Sequence, residues 1–353
     1  MTDGRVDRAP MLFAGLGSAG RRHLRNYAAL KGEAGDEAPA VLYRTGRGPA
    51  GTSALEPLAD APPGATTETD LAAALAHRPY AAVIANPTSL HVETALACAE
   101  AGCGLLIEKP LSHTTDGLRE LEKLAEARGL VAVVGFMFRF HPTLEQVRDW
   151  LADGAVGQVV LAEARWGEYL PGWHPQEDHR EGYSARKDLG GGPIHTLSHP
   201  LDYLRWLLGA ADEGDVARVQ AATAQRAGLG IETEDVAAAT LTFEGGALAT
   251  VGLDFAARPP RHDLYITGSE GSIRWDFHMG EAALYRAEKG EWTTVAPPER
   301  FERNDLFVGE MIHFLRCLAG DHHPICTLHD GRRAVEIALA IHRAAVEGRA
   351  VQV

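Results

Sequence analysis

Residues 11–20 read MLFAGLGSAG: four apolar residues, then glycines spaced G-x-G-x-x-G at Gly15, Gly17 and Gly20. The apolar run is a buried-type strand and residues 21–30 have helical spacing, so the glycines occupy a strand-to-helix turn. Gly15 permits the tight turn, Gly17 lets backbone approach a ligand, and Gly20 lets the helix lie close to the strand. The helix N-terminus behind them offers unpaired N–H groups to an anion. At the first strand–helix junction of a chain, this arrangement predicts a pyrophosphate cradle built from Gly15, Leu16, Gly17, Ser18, Ala19 and Gly20. The alternative is a glycine-rich turn with no ligand.

Working outward, apolar runs at 41–44, 80–85, 105–107 and 130–134 alternate with helical spacing at 70–76, 91–101 and 115–128. Strand–helix alternation of this kind means parallel pairing with right-handed crossovers. Residues 1–135 are therefore expected to form an α/β domain with a doubly wound parallel sheet of the Rossmann type. After Gly135 the texture changes. Strands of alternating character are expected at 157–166, 216–223, 233–243, 247–255, 262–268 and 272–277, with Gly245-Gly246 and the run GSEGSI at 268–273 as turns. Helices are expected at 193–208, 307–319 and 331–347. Residues 136–353 read as an α+β domain with an open, mostly antiparallel sheet. Residues 31–40, rich in Gly, Glu and Asp, read as a surface loop.

Composition sets the limits on function. The chain has 353 residues, 45% of them apolar, enough for about two domains with their own cores. Its formal charge of −14 disfavours nucleic acid as a partner. Apolar runs fall short of the ~18 residues a membrane span needs, and no targeting segment is expected. The four cysteines form no CxxC pair, which points to a reduced, cytoplasmic chain.

The second strand ends in Arg44 and Thr45, with Arg47 close behind. A site for NAD places Asp or Glu there to accept from the ribose 2′-hydroxyl, whereas Arg44 pairs with a 2′-phosphate. NADP is the preferred cofactor on this reading, with NAD possible; a solvated loop arginine is the other reading.

Four further segments belong with the glycines. Asn86-Pro87-Thr88-Ser89-Leu90-His91 and Glu108-Lys109-Pro110 each follow a strand, Arg139-Phe140-His141-Pro142 sits past the domain change, and Gly190-Gly191-Gly192 precedes His195, His199 and Asp202. Together with the trailing Arg22-His23, the chain from about residue 11 to 351 resembles the glucose-fructose oxidoreductase/inositol dehydrogenase (Gfo/Idh/MocA) family of NAD(P)-dependent sugar oxidoreductases. The resemblance implies a cofactor surface that takes in Arg22, His23, Thr45, Asn86, Pro87, Thr88, His91, Glu108 and Lys109. It also implies substrate held between the two domains, catalysis by Lys109 and His199, and assembly as a homodimer or homotetramer. Many members carry Asp four residues before the catalytic His; here His195 stands in that place. A non-catalytic dinucleotide sensor of the same fold is the rival class, and retention of both Lys109 and His199 favours the enzyme.

Interconverting an alcohol and a ketone needs a group that moves the hydroxyl proton. Histidine titrates near ~6.5 and lysine near ~10.4. Bringing Lys109 to neutrality takes about three units, while His199 needs almost none. His199 is therefore the expected general acid/base and Lys109 the ammonium that polarises the substrate oxygen. His195 and His199, four apart, would share a helical face, which with His174 or His179 could also ligate zinc. Without the Glu of an HExxH motif, no metal is assigned. Trp166, Tyr169, Trp173 and Tyr183 are dense for a chain with 7% aromatics, as suits a sugar pocket. Trp173, His174, Tyr183, Arg186, His195 and Arg139 are the expected substrate contacts, Arg139 having an ion pair as its alternative.

Overall fold

The computed structural model describes residues 9–45, 58 and 61–353. Arg47 lies outside them. The described chain divides into two units: residues up to Met137 together with Arg303–Arg332, and Phe138–Glu302 together with Arg333–Val353.

The first unit is built on β1 (Met11–Ala14), α1 (Ser18–Glu33), β2 (Ala40–Tyr43), β3 (Thr66–Glu68), α2 (Leu71–Ala76), β4 (Ala81–Ile84), α3 (His91–Glu100), β5 (Gly104–Glu108), α4 (Leu118–Arg128) and β6 (Ala132–Gly135). The strands form one sheet in the order β3-β2-β1-β4-β5-β6, every pair parallel. This is the doubly wound parallel sheet read from the sequence. The strand interiors β1, β4, β5 and β6 are wholly buried, as expected when helices cover both faces. Only β3 was not legible: its residues, Thr-Thr-Glu, are largely exposed. Asp70 caps α2 by accepting from the N–H of Ala73 at 2.9 Å.

In the second unit, α5 (Pro142–Ala152) precedes β7 (Val159–Gly167), α6 (Pro193–Thr196) and α7 (His199–Gly209). There follow β8 (Val216–Ala224), β9 (Val236–Phe243), β10 (Leu248–Asp254), β11 (Arg261–Gly268), β12 (Gly271–Asp276), β13 (Glu281–Arg286) and β14 (Glu291–Val295). The chain then supplies α8 (Arg303–Ala319), α9 (Leu328–Glu347) and β15 (Val351–Gln352). Nine strands make one sheet in the order β14-β13-β12-β11-β7-β10-β9-β8-β15. Only the β7–β10 pair is parallel, so the sheet is mostly antiparallel as expected. The β9–β10 hairpin turns at Gly245-Gly246, with the Phe243 N–H donating to the Ala247 carbonyl at 3.0 Å and Gly246 at φ +103°.

Two expectations need revision. The helix expected over 193–208 is two helices, interrupted at Leu197-Ser198, with Pro200 in the first turn of α7 where it has no intrahelical bond to lose. Second, α8 belongs to the first unit although a linear division at residue 135 assigns it to the second. Its Met311 and Phe314 complete the core formed by Met11, Phe13, Leu24, Tyr27, Leu42 and Val83. Among the described residues no helix is long and apolar enough to cross a membrane.

Candidate functional site

All strands of the first sheet run parallel, so their carboxyl ends share one edge, where doubly wound folds bind ligands. The turn after β1, Asn86 after β4 and Lys109 after β5 all lie along it. Gly15 has φ +90°, and a Cβ there would stand 2.4 Å from the Asn86 backbone nitrogen. A Cβ on Gly20 would meet the Gly15 carbonyl oxygen at 1.9 Å. Gly17 is different: a Cβ there meets nothing within 4 Å. Gly17 is also the N-cap of α1 and supplies no side-chain cap, so the first N–H groups of the helix are left for a ligand. The flanking Asn86 donates from Nδ2 to Thr94 Oγ1 at 2.9 Å, while its buried amide oxygen has no partner among the described residues. An open glycine, an uncapped helix start and an unpartnered acceptor fit a dinucleotide.

Arg44 follows β2 directly and its N–H donates to the Glu68 carbonyl at 2.9 Å; Thr45 beside it is exposed. Ser18 and Pro87 are exposed, Leu16, Ala19 and Arg22 half-buried, and Thr88 buried.

Besides Thr88, the expected cofactor residues His23, His91 and Glu108 are buried. His23 has no exposed surface and its Nε2 donates to Glu108 Oε1 at 2.8 Å. His91 lies between two backbone carbonyls, Pro110 at 2.9 Å from Nδ1 and Asn86 at 2.8 Å from Nε2. Burial lowers the His91 pKa against the pull of those carbonyls and of Glu108. Through these bonds His23, His91 and Glu108 brace the segments that carry Asn86 and Lys109. Lys109 itself is half-buried, directly after β5, and its N–H donates to Glu108 Oε2 at 3.2 Å.

In the second unit, His199 opens α7 and is only 1% exposed. Its ring lies edge-on to Phe138 at 4.7 Å and tilted against Trp166 at 5.3 Å. His262 stacks on the same Trp166, and Tyr203 stacks in turn on His262. His195 does not share a helical face with His199, because the chain breaks between α6 and α7; it stacks on His342 at 5.3 Å. His179 Nε2 is bonded to the Leu229 carbonyl at 2.9 Å. Among the described residues the one group of three with metal-ligand proximity is His23, Glu108 and Glu310, which includes neither His195 nor His199.

The remaining expected contacts divide. Arg139 is buried in a bidentate pair with Asp202, at 3.0 and 2.6 Å, which is its ion-pair alternative. The exposed Arg186 is neutralised locally by Asp188 at 2.6 Å, which weakens its claim on a substrate anion. Trp173 is half-buried edge-on to Phe255, His174 is exposed, and Tyr183 is 38% exposed. Two titratable residues escaped the sequence reading. Glu234 accepts from the Ile194 N–H, and burial pushes it up to about 7. Glu310 of α8 is fully buried in the first unit. Its spacing in the run Phe307, Glu310, Met311, Phe314 put an acid on an apolar face, a signal present in the sequence.

Comparison with known proteins gives two family matches. The oxidoreductase family with an NAD-binding Rossmann fold matches residues 10–136, and the GFO/IDH/MocA C-terminal domain matches residues 144–274. An uncharacterised oxidoreductase of Synechocystis sp. is 32% identical over 202 residues, 55% of this chain and 53% of that one, so the match spans about half the relative's length. The 1,5-anhydro-D-fructose reductase of Ensifer adhaerens is 27% identical over 281 residues, 77% of this chain and 79% of that one. Among solved structures, levoglucosan dehydrogenase in complex with NADH and levoglucosan superposes with a TM-score of 0.82 at 20% identity, over 98% of this chain and 99% of that one. At that identity the likeness is one of fold.

Proposed function

This chain belongs to the Gfo/Idh/MocA oxidoreductase family, and we propose that it is an NADP-preferring dehydrogenase or reductase acting on a secondary hydroxyl or ketone of a sugar, cyclitol or nucleotide-linked sugar. The observation that carries this reading is the edge where open Gly17, the uncapped start of α1 and half-buried Lys109 follow parallel strands of one sheet. A bound nicotinamide supplies or accepts the hydride. The protein's own part is to hold the cofactor, orient the alcohol and move its proton.

Gly15–Gly20 and the first turn of α1 would hold the pyrophosphate, Asn86 would add an acceptor, and Arg44 would read the 2′-phosphate. Lys109, as an ammonium, would donate to the substrate oxygen and favour the charge that develops there. His199 would take or return the hydroxyl proton, since imidazole titrates near neutrality without large perturbation. Trp173, His174, Tyr183 and His195 are the proposed sugar contacts. The sensor reading draws no support from the relatives described above, which are named as oxidoreductases.

We further expect a cytoplasmic homodimer or homotetramer. The four cysteines are buried thiols, and one face of the nine-stranded sheet presents Leu161, Leu248 and Tyr265 among Glu163 and Arg165. The test is a panel of sugars, cyclitols and nucleotide sugars with NADP⁺, NADPH, NAD⁺ and NADH, followed by nicotinamide absorbance. Turnover of one such substrate with NADP(H) supports the reading; tight cofactor binding with no turnover across the panel contradicts it.

A further inference from the structure

Glu310 has no exposed surface, and neither carboxyl oxygen has a hydrogen-bond partner among the described residues. Its Oε2 lies 3.9 Å from Nε2 of His23. That nitrogen donates to Glu108 Oε1 at 2.8 Å, and the Lys109 N–H donates to Glu108 Oε2 at 3.2 Å. Two carboxyl groups therefore share a buried space with one imidazole.

Counting donors assigns the charge. Glu108 receives two, the arrangement that favours a carboxylate. Glu310 receives none, and an unpaired buried carboxylate is far costlier than a neutral acid. Nδ1 of His23 has no partner among the described residues, so its ring bonds to Glu108 through Nε2 alone. Burial and the neighbouring Glu108 push the Glu310 carboxyl well above the usual carboxylate range. Burial pushes Glu108 up too, but the His23 hydrogen bond, and then the nearby His23, Lys109 and His91, outweigh it and hold it below its ordinary value. The three side chains have ligand-like proximity, yet the 2.8 Å between His23 and Glu108 is a hydrogen bond. Two ligands on a tetrahedral zinc at ~2.0–2.1 Å stand about 3.3 Å apart.

We propose that Glu310 is carried as a neutral carboxylic acid, that of the two carboxyls in the cluster Glu108 is the one that carries the charge, and that Glu108 is a positioning residue for the Lys109 ammonium. The last clause rests on the role proposed above for Lys109; the first does not. Among the described residues the other titratable or charged groups around the cluster are His91 on α3, and Arg22 on α1 with Arg303 beside it. Arg22 is half-buried with its guanidinium 4.5 Å above the Phe307 ring. A carboxyl with a raised folded pKa confers stability that is full below its unfolded value of ~4.3 and is lost as pH rises through the folded value.

The test melts wild-type protein and Glu310→Gln from about pH 5 to pH 9 and records infrared spectra at neutral pH. The variant cannot ionise, so its Tm should gain on that of the wild type as pH rises. The wild type should show a protonated-carboxyl C=O band that Glu310→Gln lacks; Glu310→Met, also without a carboxyl, serves should the first variant not fold. A band unaltered by either variant overturns the proposal. So does a Glu310→Gln Tm that falls behind as pH rises, or a stoichiometric metal lost with Glu310. Separately, Glu108→Gln should move the alkaline limb of kcat/KM to lower pH by about one unit, because the anion favouring charged Lys109 is gone. An unmoved limb overturns the positioning role alone. Full activity in Lys109→Ala would instead undo the function proposed for Lys109 and leave the Glu310 result standing.

Discussion

Asp202 accepts both hydrogen bonds of a bidentate pair from Arg139, at 2.6 and 3.0 Å, with both side chains almost wholly buried. Asp202 lies in the first turn of α7, the helix that His199 opens, so the pair fixes the start of that helix. Removing one partner of a buried pair strands the other charge at a cost of about 3–5 kcal/mol. Asp202→Ala should therefore lower the unfolding free energy by that much, read as a lower denaturation midpoint, with a smaller loss for Asp202→Asn. An unchanged midpoint would show that water reaches Arg139 and that the pair is not structural.

The glycine turn separates binding from folding. Alanine at Gly20 would bring a Cβ to 1.9 Å from the Gly15 carbonyl oxygen, so Gly20→Ala should destabilise the fold by about 1–3 kcal/mol. Alanine at Gly17 meets nothing, so Gly17→Ala should melt as the wild type does yet bind dinucleotide at least tenfold more weakly. Isothermal titration with NADPH checks this. Unchanged affinity in Gly17→Ala would remove the pyrophosphate from that turn.

Cofactor choice rests on Arg44 at the end of β2. A charge-assisted contact to a 2′-phosphate is worth about 1.5–3 kcal/mol, so wild-type protein should favour NADPH over NADH by at least tenfold. Arg44→Ala should erase most of that difference while leaving NADH affinity nearly unchanged. Equal affinities in the wild type would refute the preference.

Acid should destabilise the second unit through His141, whose pKa burial lowers to about 4. Phe138, Trp275, Phe277 and Phe301 surround its ring. A folded value below the unfolded ~6.5 means stability is full above pH ~6.5 and is lost as pH falls through about 4. The loss is at most about 3 kcal/mol. Melting His141→Asn beside the wild type across this window should show the variant's Tm falling less steeply. Parallel curves would assign the acid sensitivity elsewhere.

The first sheet was legible because its strands are buried on both faces and read as apolar runs; Thr66–Glu68, exposed and polar, carried no such mark. Most antiparallel strands showed through alternation; Glu281–Arg286, the short Val351–Gln352 and Glu291–Val295, an edge strand almost wholly exposed, did not. Gly15 and Gly20 were readable because each answers a local steric demand. The burial of His23 and the pairing of Arg186 with Asp188 were not, since spacing along the chain does not say which face a side chain turns to solvent. His195 and His199 misled for a related reason: a four-residue interval implies one helical face only if the helix is continuous, and it breaks at Leu197-Ser198. Glu310 is distant in sequence from its partners on α1 and β5, and only the fold brings it to them.

The most direct trial of the proposed chemistry is a double-mutant cycle in kcat/KM over Lys109→Ala and His199→Asn, with cofactor affinity measured alongside. If the ammonium and the imidazole act on one substrate oxygen, each single change should cost about 10²–10⁴-fold. The double change should then cost little more than the worse single one, with dinucleotide still bound. Losses that multiply fully, or turnover that survives either substitution, would contradict the account.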